Sequence, residues 1–363
     1  MKNKKTAILI GMFATVYIMF NACKKDPPVV TKTIIEHDTV QHAWQAEPMF
    51  NGYDQYITTA YATGNGKVFF YGEQEAWYVY DSAQNQLGIG TIGIGPNAFD
   101  RPAVNKTFFA KPYYSTFLIE SPYNSAFLPT YSDSIKHLDP FFSSVPFYAN
   151  LPLSNIVDIS DSNRFIFPAQ TINNPKQNGY YLMDAKINIP PGNITVNNFH
   201  RLFLGCNNNL ELTTINHFGN RFFVGANDTT YLIREDFSTK MVVPNDMFYS
   251  IFKWNNNYYA TAGFSSVGNI YETTNNGETW TLQYTFNPRG TVILNFDNNL
   301  IAIYQCQLWQ VTLGASSISF KEIVNDGLTG KTITGLVKCN NKVWISTNGG
   351  VFYRPYNQFY QYK

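Results

Sequence analysis

Catalysis at neutral pH needs nucleophiles, bases, metal ligands or phosphate cradles at defined spacings, and this chain supplies few of them. Its histidines, His37, His42, His137, His200 and His217, are scattered, and no His-Glu-x-x-His pair offers a zinc site. No Gly-x-Ser-x-Gly elbow occurs, nor a phosphate loop ending in Lys-Ser or Lys-Thr. Gly88-Ile89-Gly90-Thr91-Ile92-Gly93 spells a dinucleotide fingerprint, but a pyrophosphate site needs a helix to follow. Ile94-Gly95-Pro96-Asn97 follows instead, so these glycines are expected in a flexible loop between structural units. Asp158 and Asp161 place two carboxylates before a turn, too few ligands for a closed calcium site. Arg101, Arg164, Arg201, Arg221, Arg234, Arg289 and Arg354 mostly fall at strand starts or turns, where solvated surface charge is expected. The patterns imply no catalytic residue, no metal and no cofactor.

The elements that would position any site are strands. Hydrophobic residues make up 44% and charged residues 14%, enough for a sizeable core in a chain of 363 residues. The formal charge of +1 gives no field to gather nucleic acid. Aromatics reach 17%, and aromatic side chains suit pleated, half-buried surfaces. No segment after residue 44 keeps apolar residues at helical spacing for three turns. Strand, Asn-rich turn, strand recurs around Asn256, Asn298 and Asn340, at intervals of 42 residues. That is the period of a four-stranded propeller blade. Related turns stand at Gly64-Asn65-Gly66, Ser162-Asn163 and Gly219-Asn220, with an unmarked one expected near Pro112 and an insertion around Pro190-Pro191-Gly192. The expectation is an all-β chain: a β-propeller of seven four-stranded blades over residues 44–363, with six or eight as alternatives.

One tract has a turn chemistry of its own: Thr273-Thr274-Asn275-Asn276-Gly277-Glu278-Thr279-Trp280. The Asn275 side chain can bond backbone amides across the turn, and Gly277 can take the positive φ other residues resist. Thr279 is expected to begin the next strand, with Trp280 packing between sheets. Thr273-x-Asn275-x-Gly277-x-Thr279-Trp280 resembles the Asp-box, or BNR repeat, with Thr and Asn where Ser and Asp are usual. Ser346-x-Asn348-x-Gly350 resembles a degenerate second copy, in a unit also similar to the propeller repeats of sensor-regulator ectodomains. The resemblance implies a propeller and a turn-stabilising role away from the central funnel. Some Asp-box propellers are sialidases, which implies an arginine triad and an Arg-Ile-Pro tract. Asp100-Arg101-Pro102 is the nearest echo and lacks the isoleucine.

The N-terminus carries an address. Lys2, Lys4 and Lys5 precede an apolar run from Ala7 to Phe20, too short to span a membrane comfortably but suited to a signal peptide over 1–22. Asn21-Ala22-Cys23 resembles a lipobox, which implies lipidation at Cys23 and anchoring to the outer membrane. Phe20 and Asn21 depart from its strictest form. Lys24-Lys25-Asp26 is similar in part to a surface-export signal, and 23–43 reads as a tether. Cys206, Cys306 and Cys339 lie in or beside apolar strands and are expected to be buried thiols. These features together predict a non-catalytic envelope lipoprotein, facing the periplasm or the exterior, whose propeller binds a protein or a glycan. The alternatives are an exo-acting sialidase-like glycosidase and a structural subunit of an envelope complex.

Overall fold

The computed structural model describes residues 43–50, 56–62, 66–72, 76–81, 86–91, 103–104, 109–113, 116–121, 124–130, 158–160, 162, 164–170, 178–187, 194–202, 212–226, 228–263 and 267–363. Cys23, the segment 1–22 and the tether as far as residue 42 lie outside them, as do Arg101, Asp161, Cys206 and Gly93. Among the described residues the strands form seven four-stranded antiparallel sheets. Numbered along the chain, blade 1 covers 57–91, blade 2 103–130, blade 3 158–202, blade 4 212–243, blade 5 248–286, blade 6 292–323 and blade 7 333–355. Within each blade consecutive strands pair in order. The first strands of neighbouring blades touch: Leu212–Phe218 meets Phe248–Trp254, which meets Val292–Phe296, while Ile57–Ala62 meets Ile333–Cys339. First strands therefore surround the axis, and fourth strands form the rim.

Burial follows that order. The second strands Asn257–Ala262, Asn299–Tyr304 and Lys342–Thr347 are buried almost throughout, because both faces are covered by neighbouring blades. Their sequences accordingly read as near-continuous apolar runs. The fourth strands Thr239–Val243 and Thr281–Phe286 stay exposed until their last residues. The core is thus divided among the blade interfaces. Phe218 and Phe223 of blade 4 pack with Phe248 and Ala260 of blade 5. Trp344 and Val351 of blade 7 pack with Ile57, Val68 and Phe70 of blade 1.

The ends of the chain close the circle. Gln45–Ala46 supplies the fourth strand of blade 7, pairing with Tyr353 and Phe352, so the first described strand completes the last sheet. Trp44 donates its amide to the Asp326 carbonyl at 2.8 Å, which ties the same segment to the connection between blades 6 and 7. The C-terminal residues run along the rim of blade 6, where Val324 donates to Gln361 and Lys363 to Glu322.

The Asn-rich repeat marks two-residue hairpins between first and second strands. Asn255 and Asn256 take φ of 46° and 66°, and Asp297 and Asn298 take 48° and 64°. Such doubly left-handed loops match the twist of the strands they join. Asn340 (φ 52°) occupies the first loop position, after Cys339, so it corresponds to Asp297 and not to Asn298. Two expectations are corrected. Gly88 and Gly90 belong to the strand Gln86–Thr91 on the rim of blade 1, not to a loop, because backbone pairing with Val79 and Trp77 continues through them. Thr279 precedes the next strand, which starts at Thr281. Pro112 lies inside the strand Phe109–Tyr113, close to the hairpin that pairs Tyr113 with Thr116. The insertion at 190–192 lies outside the described residues, between the long third and fourth strands of blade 3, Asn178–Ile187 and Ile194–Leu202.

Candidate functional site

The 273–280 tract joins the third and fourth strands of blade 5. Thr273 is 3% exposed, and its Oγ1 accepts from the Gly277 amide at 2.9 Å. Asn275 Oδ1 accepts from the Thr279 amide at 3.0 Å, and its Nδ2 donates to Thr279 Oγ1 at 2.9 Å. Asn276 and Gly277 take φ of 57° and 83°. A Cβ on Gly277 would stand 2.3 Å from the Phe223 ring of blade 4, so glycine is required here twice over. Trp280 packs edge-on to Phe223 and Phe248, with centroids 5.6 and 4.7 Å away.

Glu278, which sequence reading passed over, carries the charge of this tract. Its carboxylate accepts a bidentate pair from Arg234, Nε at 2.8 Å and Nη2 at 2.7 Å, and a third bond from Arg221 at 3.1 Å. Lys240 donates to its carbonyl at 2.7 Å. The Arg234 hydrogen bonds, helped by all three cations, hold the Glu278 carboxyl at about 2, well below the ordinary carboxylate range. Every one of these cations belongs to blade 4. The tract is therefore a clamp between two blades, with the side chains of Thr273, Asn275, Glu278 and Thr279 all bonded within it or to blade 4.

Ser346, Asn348 and Gly350 do something different. They straddle a two-residue hairpin between the second and third strands of blade 7, at the opposite end of a blade from the 273–280 tract. Ser346 is fully buried and bonds Thr334 Oγ1 at 3.0 Å, while Asn348 Oδ1 accepts from the Thr332 amide at 2.7 Å. The side-chain closure seen at Asn275 does not form, because Thr347 and Gly350 already pair across only two loop residues.

That opposite end is the one where first strands begin. In blades 1, 4, 5 and 7 the first strand carries a β-bulge there, centred on Thr58, Thr213, Tyr249 and Thr334. Bulges cluster where a strand must re-aim a side chain. At blade 5 the bulged residue is Tyr249. Its hydroxyl donates to the Gly263 carbonyl and accepts from Arg289 Nε at 3.2 Å. Gly263 has no room for a side chain, since a Cβ would meet the Val267 carbonyl at 2.7 Å and Arg289 Cγ at 3.4 Å. The Arg289 stem is thus laid against a glycine, and its Nε edge is fixed. The Tyr249 hydrogen bond holds the guanidinium pKa above its usual range, with smaller contributions from Asp228 and Asp246. Asp246 itself is buried and satisfied by Asn269, Tyr271 and the Met247 amide.

Cations at the hairpin end are met by carboxylates or by rings, with Lys253 over Tyr258 and Lys342 over Tyr353. There Lys67 pairs with Asp81, His217 with Asp158 at 2.9 Å, and Lys338 with Asp297 at 2.7 Å. At the bulged end, Arg289 and Lys331 have no carboxylate within ion-pair distance among the described residues. The remaining described arginines serve separate contacts. Arg164 donates to the Asn220 and Glu235 carbonyls, and Arg354 to that of Val324. Cys306 is half-buried and Cys339 buried, both as free thiols. Among the described residues no three His, Cys, Asp or Glu side chains gather as metal ligands, and no helix is long and apolar enough to cross a membrane. Sequence reading missed the bulged end, although an apolar residue followed by Thr-Thr, Tyr-Ser or Thr-Gly opens four first strands: Ile57-Thr58-Thr59, Leu212-Thr213-Thr214, Phe248-Tyr249-Ser250 and Ile333-Thr334-Gly335.

No family model matches the chain, and no curated protein matches it by sequence. Solved structures do. A catalytically inactive virginiamycin B lyase from Staphylococcus aureus, determined with quinupristin, superposes with a TM-score of 0.59 at 9% identity, over 86% of this chain and 97% of that one. The WD40 β-propeller domain of Doa1 gives 0.53 at 10% identity, over 85% and 96%. The fold is a β-propeller. YCF48 bound to D1 peptide is similar as well, with a TM-score of 0.52 at 9% identity, over 83% of this propeller chain and 93% of that one. At such identities the likeness is one of fold.

Proposed function

We propose that this chain is a non-catalytic binding lipoprotein of a bacterial envelope, whose propeller takes a protein or glycan partner at its bulged end. The observation that carries the reading is Arg289, an exposed guanidinium held in place by Tyr249 with no ion-pair partner among the described residues. A surface that only stabilises the fold neutralises its charges internally, as the Glu278 cluster does. A surface that meets a partner keeps a pre-oriented charge available. The similar propeller of YCF48 was determined with a peptide bound, which supports use of this architecture for binding. The sialidase alternative draws no support from the described arginines: Arg221 and Arg234 clamp Glu278 between blades 4 and 5, while Arg164, Arg289 and Arg354 serve separate contacts.

In this reading Cys23 carries the lipid, residues 1–22 are removed, and 23–43 tether the propeller to the outer membrane. The side-chain closures around Thr273 and Asn275 support an Asp-box role for their tract, with Thr279 and Trp280 as its end. Two measurements test the proposal. Cys23→Ser should shift the protein from membrane to soluble fractions, and unchanged fractionation would remove the anchor. Affinity capture from the native envelope should recover a partner with the wild-type chain but not with an Arg289→Glu, Lys331→Glu variant. Equal recovery by both would place the binding surface elsewhere.

A further inference from the structure

The ligand chemistry at the bulged end can be narrowed, on the reading that this end binds. Arg289 and Asp228 have hydrogen-bonding capacity left over there, beside a Tyr249 ring that is fixed in place. Arg289 spends only Nε, on the Tyr249 hydroxyl at 3.2 Å, and its two terminal nitrogens meet no acceptor among the described residues. Those two nitrogens form the edge that takes a carboxylate in two parallel bonds. Tyr249 is pinned at both sides of its hydroxyl, donating to Gly263 and accepting from Arg289. It therefore has little hydrogen-bonding capacity to offer a ligand, and what it presents is a half-buried ring held in one orientation. Asp228, at the turn between the second and third strands of blade 4, makes no hydrogen bond among the described residues and takes a φ of 61°. That turn lies at the same end of the propeller as the connection carrying Arg289, on the neighbouring blade.

We infer that this corner of the bulged end recognises an acidic saccharide of the hexuronate class, with Arg289 on the sugar carboxylate, the Tyr249 ring under the sugar face and Asp228 on sugar hydroxyls. Each part answers a separate feature of such a ring. The fork takes the carboxylate, a fixed aromatic takes the apolar C–H face, and an unpaired carboxylate accepts from adjacent hydroxyls. An acidic peptide would satisfy Arg289 equally well. It offers no hydroxyl pairs to the Asp228 carboxylate, so that acceptor favours the sugar. The Gly263 contact contributes by leaving the arginine stem one path, so less side-chain freedom is lost on binding.

The test is calorimetric titration of the full chain with three probes: a galacturonate hexamer, a neutral galactose hexamer and a hexaglutamate peptide. The galacturonate should bind, and the neutral sugar should bind at least tenfold more weakly. Arg289→Gln should weaken galacturonate at least tenfold, Arg289→Lys less, and Tyr249→Phe severalfold through loss of the guanidinium's anchor. Thermal melting confirms that each variant is folded. Equal affinity for neutral and acidic sugars, binding of hexaglutamate alone, or full galacturonate binding by Arg289→Gln would each overturn the inference. Those outcomes leave the broader binding role standing if a partner is still captured through this end. Failure of that capture overturns the broader role independently.

Discussion

Glu278 shows how much a single residue can do when its partners lie on another blade. Its carboxylate is shared by Arg221, Arg234 and Lys240, and its side chain is 29% exposed, so water screens part of the attraction. The folded carboxyl titrates at about 2 against an ordinary 4.5. A depressed carboxyl stabilises the folded state fully above its unfolded pKa and loses that contribution as pH falls towards the folded value. The expected contribution after screening is about 1 kcal/mol, present above roughly pH 4.5 and fading towards pH 2. Glu278→Gln should remove it, so urea midpoints of the two proteins should differ at pH 6 and converge near pH 2. A constant difference across that range would show that the clamp acts through packing instead. The turn closure around Thr273 and Asn275 was legible in the sequence, because every partner lies within a few residues. The charge clamp was not, since Arg234 is 44 positions away and its proximity is a product of the fold.

At the scale of elements, the hairpins were the readable part. Asn at a left-handed loop position avoids most of the penalty that a Cβ imposes there, and the repeat of such residues exposed the blade period. The cost of violating that rule can be measured at Asn298, which is exposed and holds φ at 64°. Asn298→Val should lower stability by about 1–2 kcal/mol, whereas Asn298→Gly should stay within a few tenths. Chemical denaturation of the pair checks this, and equal losses would point to a missing side-chain contact, not to backbone strain. Short motifs proved less readable when they had to be assigned to an end of a blade. Ser346, Asn348 and Gly350 have nearly the letters of the 273–280 tract, yet they join second to third strands, where two residues suffice. The bulges at Tyr249 and Thr334 were marked only by how their strands open, Phe248-Tyr249-Ser250 and Ile333-Thr334-Gly335, which without the pairing reads as ordinary alternation.

For the whole molecule, stability depends on how the circle is closed, and the closing contact contains a conflict. Trp44 is 3% exposed and joins the cluster of Phe296, Ile333 and Phe359, while Gln45–Ala46 adds only two paired residues. Above the Trp44 ring, 4.6 Å from its centroid, sits the guanidinium of Arg354, which is fully buried. Its Nη1 donates to Val324 at 2.9 Å, but Nε and Nη2 find no acceptor in the described residues. Burial pushes its pKa down to about 10, with Asp326 offsetting part of the shift. A buried cation with unmet donors destabilises the fold it sits in, even where a ring partly compensates. Trp44→Ala should therefore cost about 3–5 kcal/mol, as for other buried aromatics. Arg354→Met, which keeps the stem and removes the charge, should stabilise by about 1 kcal/mol or more. Denaturant midpoints decide between two physical accounts of the closure. A gain for Arg354→Met means that apolar contact with Trp44 holds the circle against a desolvated charge. A loss means that the cation over the indole, with its bond to Val324, is itself what fastens the first strand to the last blade.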